Sequence, residues 1–432
     1  MDNFLAKFKL DKHHTIERFG VIVLSLIVIT SLLLGFMGSR KMKLDSKNLS
    51  EKVIYTEKFT SSLTKTTGEV VGAYKNKSNK DFFLLIKFND TTKVSTNAED
   101  YQMFLTGSDV SGGTKTLKSS PAAMIYMFSS TGYMGVHMHS GDGFPEQIMK
   151  LTVRANNRLI SPAERISENE IDSTFNDHDQ FQLFFNPGGS DATFVTFLDD
   201  ETIEIFDIYE QVVTRPQEKE IKDELTKQLK NMSYALNKID EYERRVTEDG
   251  IKVPERPEEI KEDKIIAKKG TEELTRDRDM YKDSKGNKVD EKDIIFYFDS
   301  KKTVGGGFNF DWQNKTSKDG FFKEVTDKTN YVEFLVEKSK EETPSITTSD
   351  MKFFYKDGSE FNFDLSASAR VGEQATINTD IQNLLSAWNE YYDLKKTYQR
   401  EELKKLLLLE LDANTASNGW TRNDSEKAFM IY

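Results

Sequence analysis

The chain has 432 residues, a formal net charge of −12, an aromatic content of 11% and no cysteine. The excess of negative charge excludes DNA and RNA as expected partners, because nucleic acids are bound by basic surfaces. The lack of cysteine excludes disulfides and thiol nucleophiles, and the length predicts two or three domains.

The most apolar segment is residues 19–38, a run of 20 residues that contains no charge. As an α-helix it spans about 30 Å, which matches the hydrocarbon core of a bilayer. A cleaved signal peptide is the alternative, but its apolar core is shorter and ends at small residues, whereas Phe36 and Met37 are bulky. We therefore expect a tail at 1–18, a retained transmembrane helix at 19–38 and a polar linker at 39–66.

The basic residues on the two sides of this segment are nearly equal in number, so the positive-inside rule gives little preference for its orientation. The short N-terminal tail and the absence of cysteine favour a cytoplasmic tail and a large extracytoplasmic body. Residues 1–43 hold seven basic and three acidic residues, so the remainder carries −16 and is repelled by anionic lipid and wall polymers. The flanking basic residues are Lys7, Lys9, Lys12, Arg18, Arg40, Lys41, Lys43 and Lys47.

Residues 67–213 contain short runs in which apolar and polar side chains alternate, a pattern typical of antiparallel strands. Turn-rich segments such as SGGTK, SGDG and NPGGSD separate these runs. We predict an immunoglobulin-like β-sandwich, with a jelly roll as the alternative. The predicted strands are Glu69–Tyr74, Phe82–Phe88, Met124–Ser129, Tyr133–His139, Ile148–Ala155, Phe181–Asn186, Ala192–Phe197 and Ile203–Tyr209.

A heptad pattern begins at Pro216 and predicts a coiled-coil-like helix over 216–249. Its apolar residues are spaced alternately by four and three, and Glu243 interrupts the series. Residues 250–291 are predicted to form a charged linker with some helical character. The apolar residues are Leu225, Leu229, Met232, Leu236, Ile239 and Val246.

A second β-rich region is predicted over 292–366, followed by a second heptad helix over 377–412 and a loose tail at 413–432. Lys395 and Glu402 interrupt the second heptad series. Its apolar residues are Ile377, Ile381, Leu384, Trp388, Tyr391 and Tyr398, and the strands expected before it are Ile294–Phe298, Phe308–Trp312, Tyr331–Val336, Met351–Tyr355 and Phe361–Leu365.

The two heptad helices have similar lengths and flank the second β-rich region. We expect them to pair antiparallel within one chain, as a stalk that presents the β-rich region as a head. The charged interruptions favour this mixed pairing, because they weaken self-association. An intermolecular coiled coil, and with it a homo-oligomer, is the alternative.

His137 and His139 are the weak candidates for a metal site, although no metal or other cofactor is expected. Residues two apart on a strand face the same side, so the two imidazoles can converge on one ion. His178, between Asp177 and Asp179, is a further source of ligands if folding brings it close. Exposed histidines at a strand edge are the commoner arrangement.

The strand that follows the glycines at 305–307 carries the weak candidates for a binding surface, Phe308, Phe310 and Trp312. Aromatic side chains in this pattern can stack on a sugar ring or a partner peptide. Packing in the core is the commoner role for such residues.

No motif for catalysis stands out: the chain has no G-x-S-x-G, no H-E-x-x-H and no cysteine nucleophile. The expected function is therefore that of a non-enzymatic, single-pass, membrane-anchored extracytoplasmic scaffold or interaction protein. More specifically, we expect a component of a bacterial cell-envelope assembly, such as a secretion or conjugation apparatus. Its expected partners are other envelope proteins. A cell-surface receptor for a carbohydrate or peptide is the alternative. The fold class expected for the chain is α+β.

Overall fold

The structure is a computed structural model that describes residues 49–109, 111–155, 178–199, 205–261, 263–277, 280–299, 312–321, 346–347, 351–363, 372–426 and 428–431. Within these ranges the fold is α+β, with many antiparallel strand pairs and few helices. None of the helices in these ranges combines the length and the apolar composition that crossing a bilayer requires. The apolar run 19–38 lies outside them, so the transmembrane helix stays a prediction.

The chain divides into two compact units. The two-sheet unit comprises the described residues up to 199 and from 419 onward, and the inserted unit comprises the described residues between 205 and 418. Short 3-10 turns lie at Ala98–Asp100, Ser129–Thr131 and Phe197–Asp199 of the two-sheet unit. Its strands before residue 200 are β1 (Lys58–Thr60), β2 (Thr67–Lys75), β3 (Asp81–Phe88), β4 (Tyr101–Ser108), β5 (Thr114–Lys115), β6 (Ala122–Met127), β7 (Tyr133–His139), β8 (Met149–Ala155), β9 (Gln180–Phe185) and β10 (Thr193–Phe194).

Two sheets of this unit enclose one hydrophobic core. The larger sheet has the order β1-β2-β3-β7-β6, with β10 beside β2, and the smaller has the order β4-β8-β9, with β5 beside β4. Their inner faces meet at Phe82 of β3 and Phe185 of β9, whose rings stack with centroids 5.6 Å apart. Neighbouring strands among β1 to β9 are antiparallel, as the alternating sequence pattern predicts.

Strand β3 is buried on both faces, which explains why its sequence DFFLLIKF is almost continuously apolar. Phe82 and Leu84 belong to the core between the sheets. Phe83 and Leu85 point to the opposite face and are also at most 1% exposed.

The described part of the expected linker 39–66 contributes to this core. Phe59 lies on β1 and stacks on Phe181 with ring centroids 4.0 Å apart, and Val53 is buried as well. Because the segment is mostly polar, its composition does not predict that Phe59 and Val53 pack in the core.

The inserted unit combines helices with small sheets, ordered β11-β17-β18 and β13-β12-β16, and a β14-β15 pair. Its helical segments are α1 (Ile205–Tyr209), a π-helical turn (Glu210–Thr214), α2 (Arg215–Glu248), α3 (Glu258–Lys261), a 3-10 turn (Glu291–Asp293), α4 (Glu373–Lys396), a second π-helical turn (Thr397–Glu402) and α5 (Leu403–Gly419). Its strands are β11 (Ile251–Lys252), β12 (Lys264–Lys269), β13 (Glu272–Glu273), β14 (Thr275–Asp277), β15 (Met280–Lys282), β16 (Ile295–Asp299), β17 (Phe353–Tyr355) and β18 (Glu360–Phe361).

Helices α2 and α4 pack against each other in an antiparallel arrangement within the chain. Gln228 donates a hydrogen bond to the carbonyl oxygen of Leu394, and farther along α2 the Lys238 ammonium lies 2.8 Å from Glu390. The heptad residues of both helices face one core, which they share with strand residues such as Phe296. Among the described residues the helices and strands therefore share one core, which differs from a separate stalk and head. The predicted strand Tyr331–Val336 and the start of the predicted strand Phe308–Trp312 lie outside these residues.

Two of the charged residues that interrupt the heptad series have partners inside the inserted unit. Arg256 binds both carboxylate oxygens of Glu243, with nitrogen–oxygen distances of 2.6 Å. Lys405 lies 2.8 Å from Glu402. These two interruptions, Glu243 and Glu402, thus correspond to ion pairs at the border of the core.

The expected strand Ile203–Tyr209 differs from the structure, which has helix α1 at this place. Ile208, Tyr209, Val212 and Val213 are buried, and this spacing belongs to one face of a helix. The region expected as a charged linker, 250–291, contains strands β11 to β15 and helix α3.

Strand β12 illustrates why the strands of this region cannot be predicted from local sequence. Its sequence KIIAKK is rich in charge, but Ile265 pairs with Phe298 of β16 and Ala267 pairs with Phe296. A partner about thirty residues away fixes the strand, and local composition contains little information about it.

The C-terminal residues return to the two-sheet unit and extend both sheets. Strand β19 (Thr421–Asn423) pairs antiparallel with β6, and β20 (Phe429–Ile431) pairs parallel with β4. Asn423 donates a hydrogen bond to the carbonyl oxygen of Tyr101, and the hydroxyl of Thr421 accepts one from the backbone of Ala98. The expected loose tail 413–432 is therefore the end of α5 followed by two edge strands.

Candidate functional site

The two histidines singled out in the sequence lie on β7, near its end, and face the first residue of β3. His139 is the direct partner of Asp81 in the strand register, and His137 lies two residues earlier on the same face. Both imidazoles extend toward the Asp81 carboxylate. The alternation of side chains along a strand thus produces the convergence that the H-x-H spacing predicts.

Both imidazoles bind the same carboxylate oxygen. Nε2 of His137 lies 3.0 Å from Oδ1 of Asp81, and Nδ1 of His139 lies 2.8 Å from that atom. The amide of Asn76 donates a hydrogen bond of 2.9 Å to Oδ2, the other oxygen of the carboxylate. We call Asn76, Asp81, His137 and His139 the histidine cluster.

The histidine cluster holds Asp81 in its ionised form. Burial acts to raise the pKa of this carboxyl, but hydrogen bonds and favourable charge from His137 and His139 outweigh burial and lower the pKa below its usual value. The Asp81 side chain is 14% exposed, whereas that of His139 is 51% exposed. The Asp81 carboxylate is therefore ionised and open to solvent on the side of His139. From that side, a ligand can replace one of its hydrogen-bond partners.

The other ligands considered with these histidines serve elsewhere. Asp179 binds the loop before β2, accepting hydrogen bonds from the backbone of Leu63 and from the hydroxyl of Thr64. Asp177 lies outside the described residues. In the described part of the chain, no three or more His, Cys, Asp or Glu side chains are placed to hold a metal ion as they stand.

Trp312 lies in the core of the inserted unit. It is 4% exposed, and its indole nitrogen donates a hydrogen bond of 3.0 Å to the hydroxyl of Tyr398. Burial raises the pKa of Tyr398 above its usual value, although the bond from Trp312 acts in the opposite direction. Phe308 and Phe310 lie outside the described residues, so an aromatic binding surface on this segment stays a prediction for these two positions.

A buried charge cluster lies where the second heptad series is interrupted by Lys395. The Lys395 ammonium and the Asp263 carboxylate are 2.7 Å apart, and the hydroxyl of Tyr391 donates to the same carboxylate oxygen. Burial and the neighbouring Asp263 raise the pKa of Tyr391 well above its usual range, so the hydroxyl stays protonated. These contacts join α4 to the start of β12, and all three residues are buried.

A polar groove of about 1200 Å³ lies along α2 and was missed from the sequence. Arg245 stacks over the ring of Tyr242 at 5.6 Å, and Arg276 lies 5.8 Å from the ring of Tyr234. Sequence spacing alone makes these positions look like an ordinary solvated helix face. The residues that line this α2 groove are Asn231, Tyr234, Asn237, Lys238, Asp240, Glu241, Tyr242, Arg244, Arg245, Arg276, Glu390 and Leu394.

Comparison of the chain with protein-family models, with curated proteins and with solved structures finds no significant match.

Proposed function

We propose that the protein is a non-enzymatic scaffold or interaction protein, held by one transmembrane helix with its large folded body outside the cytoplasm. The observation that carries this proposal is the uncharged apolar run 19–38, which precedes a long, acidic, folded body. Because that remainder carries −16, contact with anionic lipid is unfavourable and the body extends away from the membrane surface.

The fold assignment in this proposal is an immunoglobulin-like β-sandwich for the two-sheet unit. The order β2-β3-β7-β6 in one sheet and β4-β8-β9 in the other supports it, because this is the ABED and CFG order of constant-type immunoglobulin domains. Sandwiches of this kind occur in many cell-surface proteins, where loops and strands serve as binding surfaces. Strands β1, β5, β10, β19 and β20 are additions to that order.

The inserted unit supplies a second surface for partners, and we place the protein in a bacterial cell-envelope assembly, such as a secretion or conjugation apparatus. Packing of α2 against α4 in one chain uses the apolar positions that an intermolecular coiled coil would need. Association with other envelope proteins then depends on outer surfaces. Light scattering of the purified full-length chain should give the mass of one chain in each detergent micelle.

The second candidate function is a receptor for a carbohydrate or peptide, and the α2 groove favours it. Tyrosine rings, side-chain amides and charged groups line the same depression, and such groups recognise sugars and peptides. Binding on a glycan or peptide array that is lost in Tyr242→Ala and kept in Tyr355→Ala would favour the receptor. Tyr355 is a matched control, because it is an exposed tyrosine of the same unit outside this groove.

The leading proposal predicts which parts of the chain a membrane-impermeant maleimide reaches in intact cells. The chain has no cysteine, so single substitutions give labelling without background. Lys285 is exposed in a turn of the inserted unit and reports on the body. Lys285→Cys should be labelled in intact cells, whereas Asn3→Cys should be labelled only after permeabilisation.

The reverse pattern would show that the body is cytoplasmic and would overturn the proposed location. Labelling of neither cysteine before permeabilisation would do the same. The unsubstituted chain must stay unlabelled in both conditions.

A further inference from the structure

We propose that the histidine cluster is a binding site for one divalent transition-metal ion of the zinc type, with His137, His139 and Asp81 as its ligands. Two imidazoles and a carboxylate form a donor set that suits zinc, cobalt and nickel. This proposal is independent of membrane anchoring, because it rests only on contacts inside the two-sheet unit.

The geometry points to a single ion because the two ring nitrogens are directed at one point. That point is at present the position of Asp81 Oδ1, which is 3.0 Å from His137 Nε2 and 2.8 Å from His139 Nδ1. Zinc binds imidazole nitrogen at about 2.0–2.1 Å, so an ion held by both rings lies close to where Oδ1 now is. In the part of the chain that the structure describes, no three such side chains are placed to hold an ion, so the proposed site requires a rearrangement of the cluster.

Entry of the ion therefore requires one side-chain movement. The Asp81 carboxylate has to withdraw by roughly 1–2 Å, and then binds the ion as the third ligand at about 2.0–2.2 Å. Rotation about the side-chain bonds of Asp81 supplies such a shift. The strands that carry the three ligands are paired over seven residues and need not move.

The protonation changes balance without an additional reactant. Because a carboxylate only accepts hydrogen bonds, His137 and His139 now carry protons on Nε2 and Nδ1, respectively. In the metal complex each neutral imidazole carries its proton on the other nitrogen, which frees a lone pair for the ion. The exchange converts two hydrogen bonds into two metal–nitrogen bonds; a neutral ring changes only its tautomer, and a protonated ring releases one proton to solvent.

The surroundings have two further properties of a metal site. Asn76 binds the other oxygen of Asp81 and also accepts hydrogen bonds from the backbone of Lys80 and Asp81, so it can orient the carboxylate from outside. The side chain of His137 is 6% exposed and that of His139 is 51% exposed, which gives the ion one rigid ligand and one open approach. A water molecule can complete the coordination from the exposed side.

Calorimetric titration of the purified full-length chain with Zn²⁺ tests the site. We expect saturable binding of one ion at micromolar concentrations and a decrease in affinity of at least about tenfold in His139→Ala and in Asp81→Asn. His178→Ala is the matched control, because it removes a histidine of the same unit outside the cluster, and its affinity should stay unchanged. All these variants keep His13 and His14, so weak binding at the N-terminal pair is the same in each.

A second readout separates coordination from a general effect on folding. Co²⁺ bound by both imidazoles should give a visible absorption band that is lost in His139→Ala while the circular dichroism of that variant stays unchanged. His139 is suited to this test because its side chain is half exposed. Absence of heat with the unsubstituted chain would overturn the proposal, and so would equal binding by the unsubstituted chain, His139→Ala and Asp81→Asn.

Discussion

The two units of the protein each hold a carboxylate among polar partners, and they do so in opposite ways. Asp263 of the inserted unit is buried and is paired with the ammonium group of Lys395 and with the hydroxyl of Tyr391. Asp81 of the two-sheet unit is bound by two imidazoles, one of which is half exposed.

This difference indicates that the cluster around Asp263 has a structural role, whereas the partners of Asp81 can be replaced by a ligand. A buried ion pair is closed to solvent and costs several kcal/mol to break, because each charge needs its partner. Imidazoles can change tautomer and protonation near neutral pH, so the partners of Asp81 can be exchanged for a ligand. A third carboxylate, that of Glu243, is 19% exposed and is bound by the guanidinium of Arg256.

The largest effect is expected for Lys395→Ala. This substitution leaves Asp263 buried without its cation, and we expect the free energy of unfolding of the inserted unit to fall by about 3–5 kcal/mol. Urea titration followed by tryptophan fluorescence measures it in a Trp420→Phe background, since Trp312 and Trp388 then report on the inserted unit alone.

Two further variants define the outcome of that experiment. Lys404→Ala removes an exposed lysine and should change stability by less than about 0.5 kcal/mol. Lys395→Met combined with Asp263→Leu removes both charges, and it should recover most of the loss. A loss below about 1 kcal/mol for Lys395→Ala would contradict the structural role of this pair.

An intermediate effect is expected for Glu243→Ala. The Arg256 guanidinium loses a bidentate partner at the border of the core, and we expect a loss of about 1 kcal/mol. Measurement in the same Trp420→Phe background makes the value comparable with that of Lys395→Ala. Glu248→Ala is the control, because Glu248 contacts the exposed Arg244. Equal losses of unfolding free energy in Glu243→Ala and Glu248→Ala would contradict the expectation that the more buried ion pair contributes more to stability.

The smallest effect is expected for His139→Ala in the absence of metal. One hydrogen bond of a half-exposed side chain is lost, while His137 and Asn76 still bind Asp81, so the two-sheet unit should lose about 0.5 kcal/mol. Thermal unfolding followed by the fluorescence of Trp420, in a chain with the other two tryptophans replaced by phenylalanine, measures this change. A loss above about 2 kcal/mol would place Asp81 in the same structural class as Asp263.

Sequence reasoning succeeded where the periodicity of a segment and its burial agree. The segments predicted as strands around Phe82 and Leu151 are strands, and the series from Leu225 to Val246 faces a core. The H-x-H spacing also predicted that His137 and His139 share a face. Their common partner could not be predicted, because Asp81 is 56 residues away from His137 and is one of many acidic residues in the chain.

The features that sequence reasoning missed depend on distant partners. The tail strand β19 is short and polar, and only its pairing with β6 nearly 300 residues earlier defines it. In the heptad pattern Lys395 is only an interruption, whereas in the structure it is the buried partner of Asp263. Local patterns contain periodicity, whereas edge pairing and charge pairing are set by the tertiary fold.

The central claim is that residues 19–38 anchor the body in a membrane. Its most direct test is alkaline carbonate extraction of membranes that contain the full-length chain. The chain should stay in the pellet after carbonate and enter solution only with detergent. Leu26→Arg combined with Leu33→Arg should release it, because each arginine costs roughly 2.5–3.5 kcal/mol at the centre of a membrane helix. Release of the unsubstituted chain by carbonate alone would contradict the account.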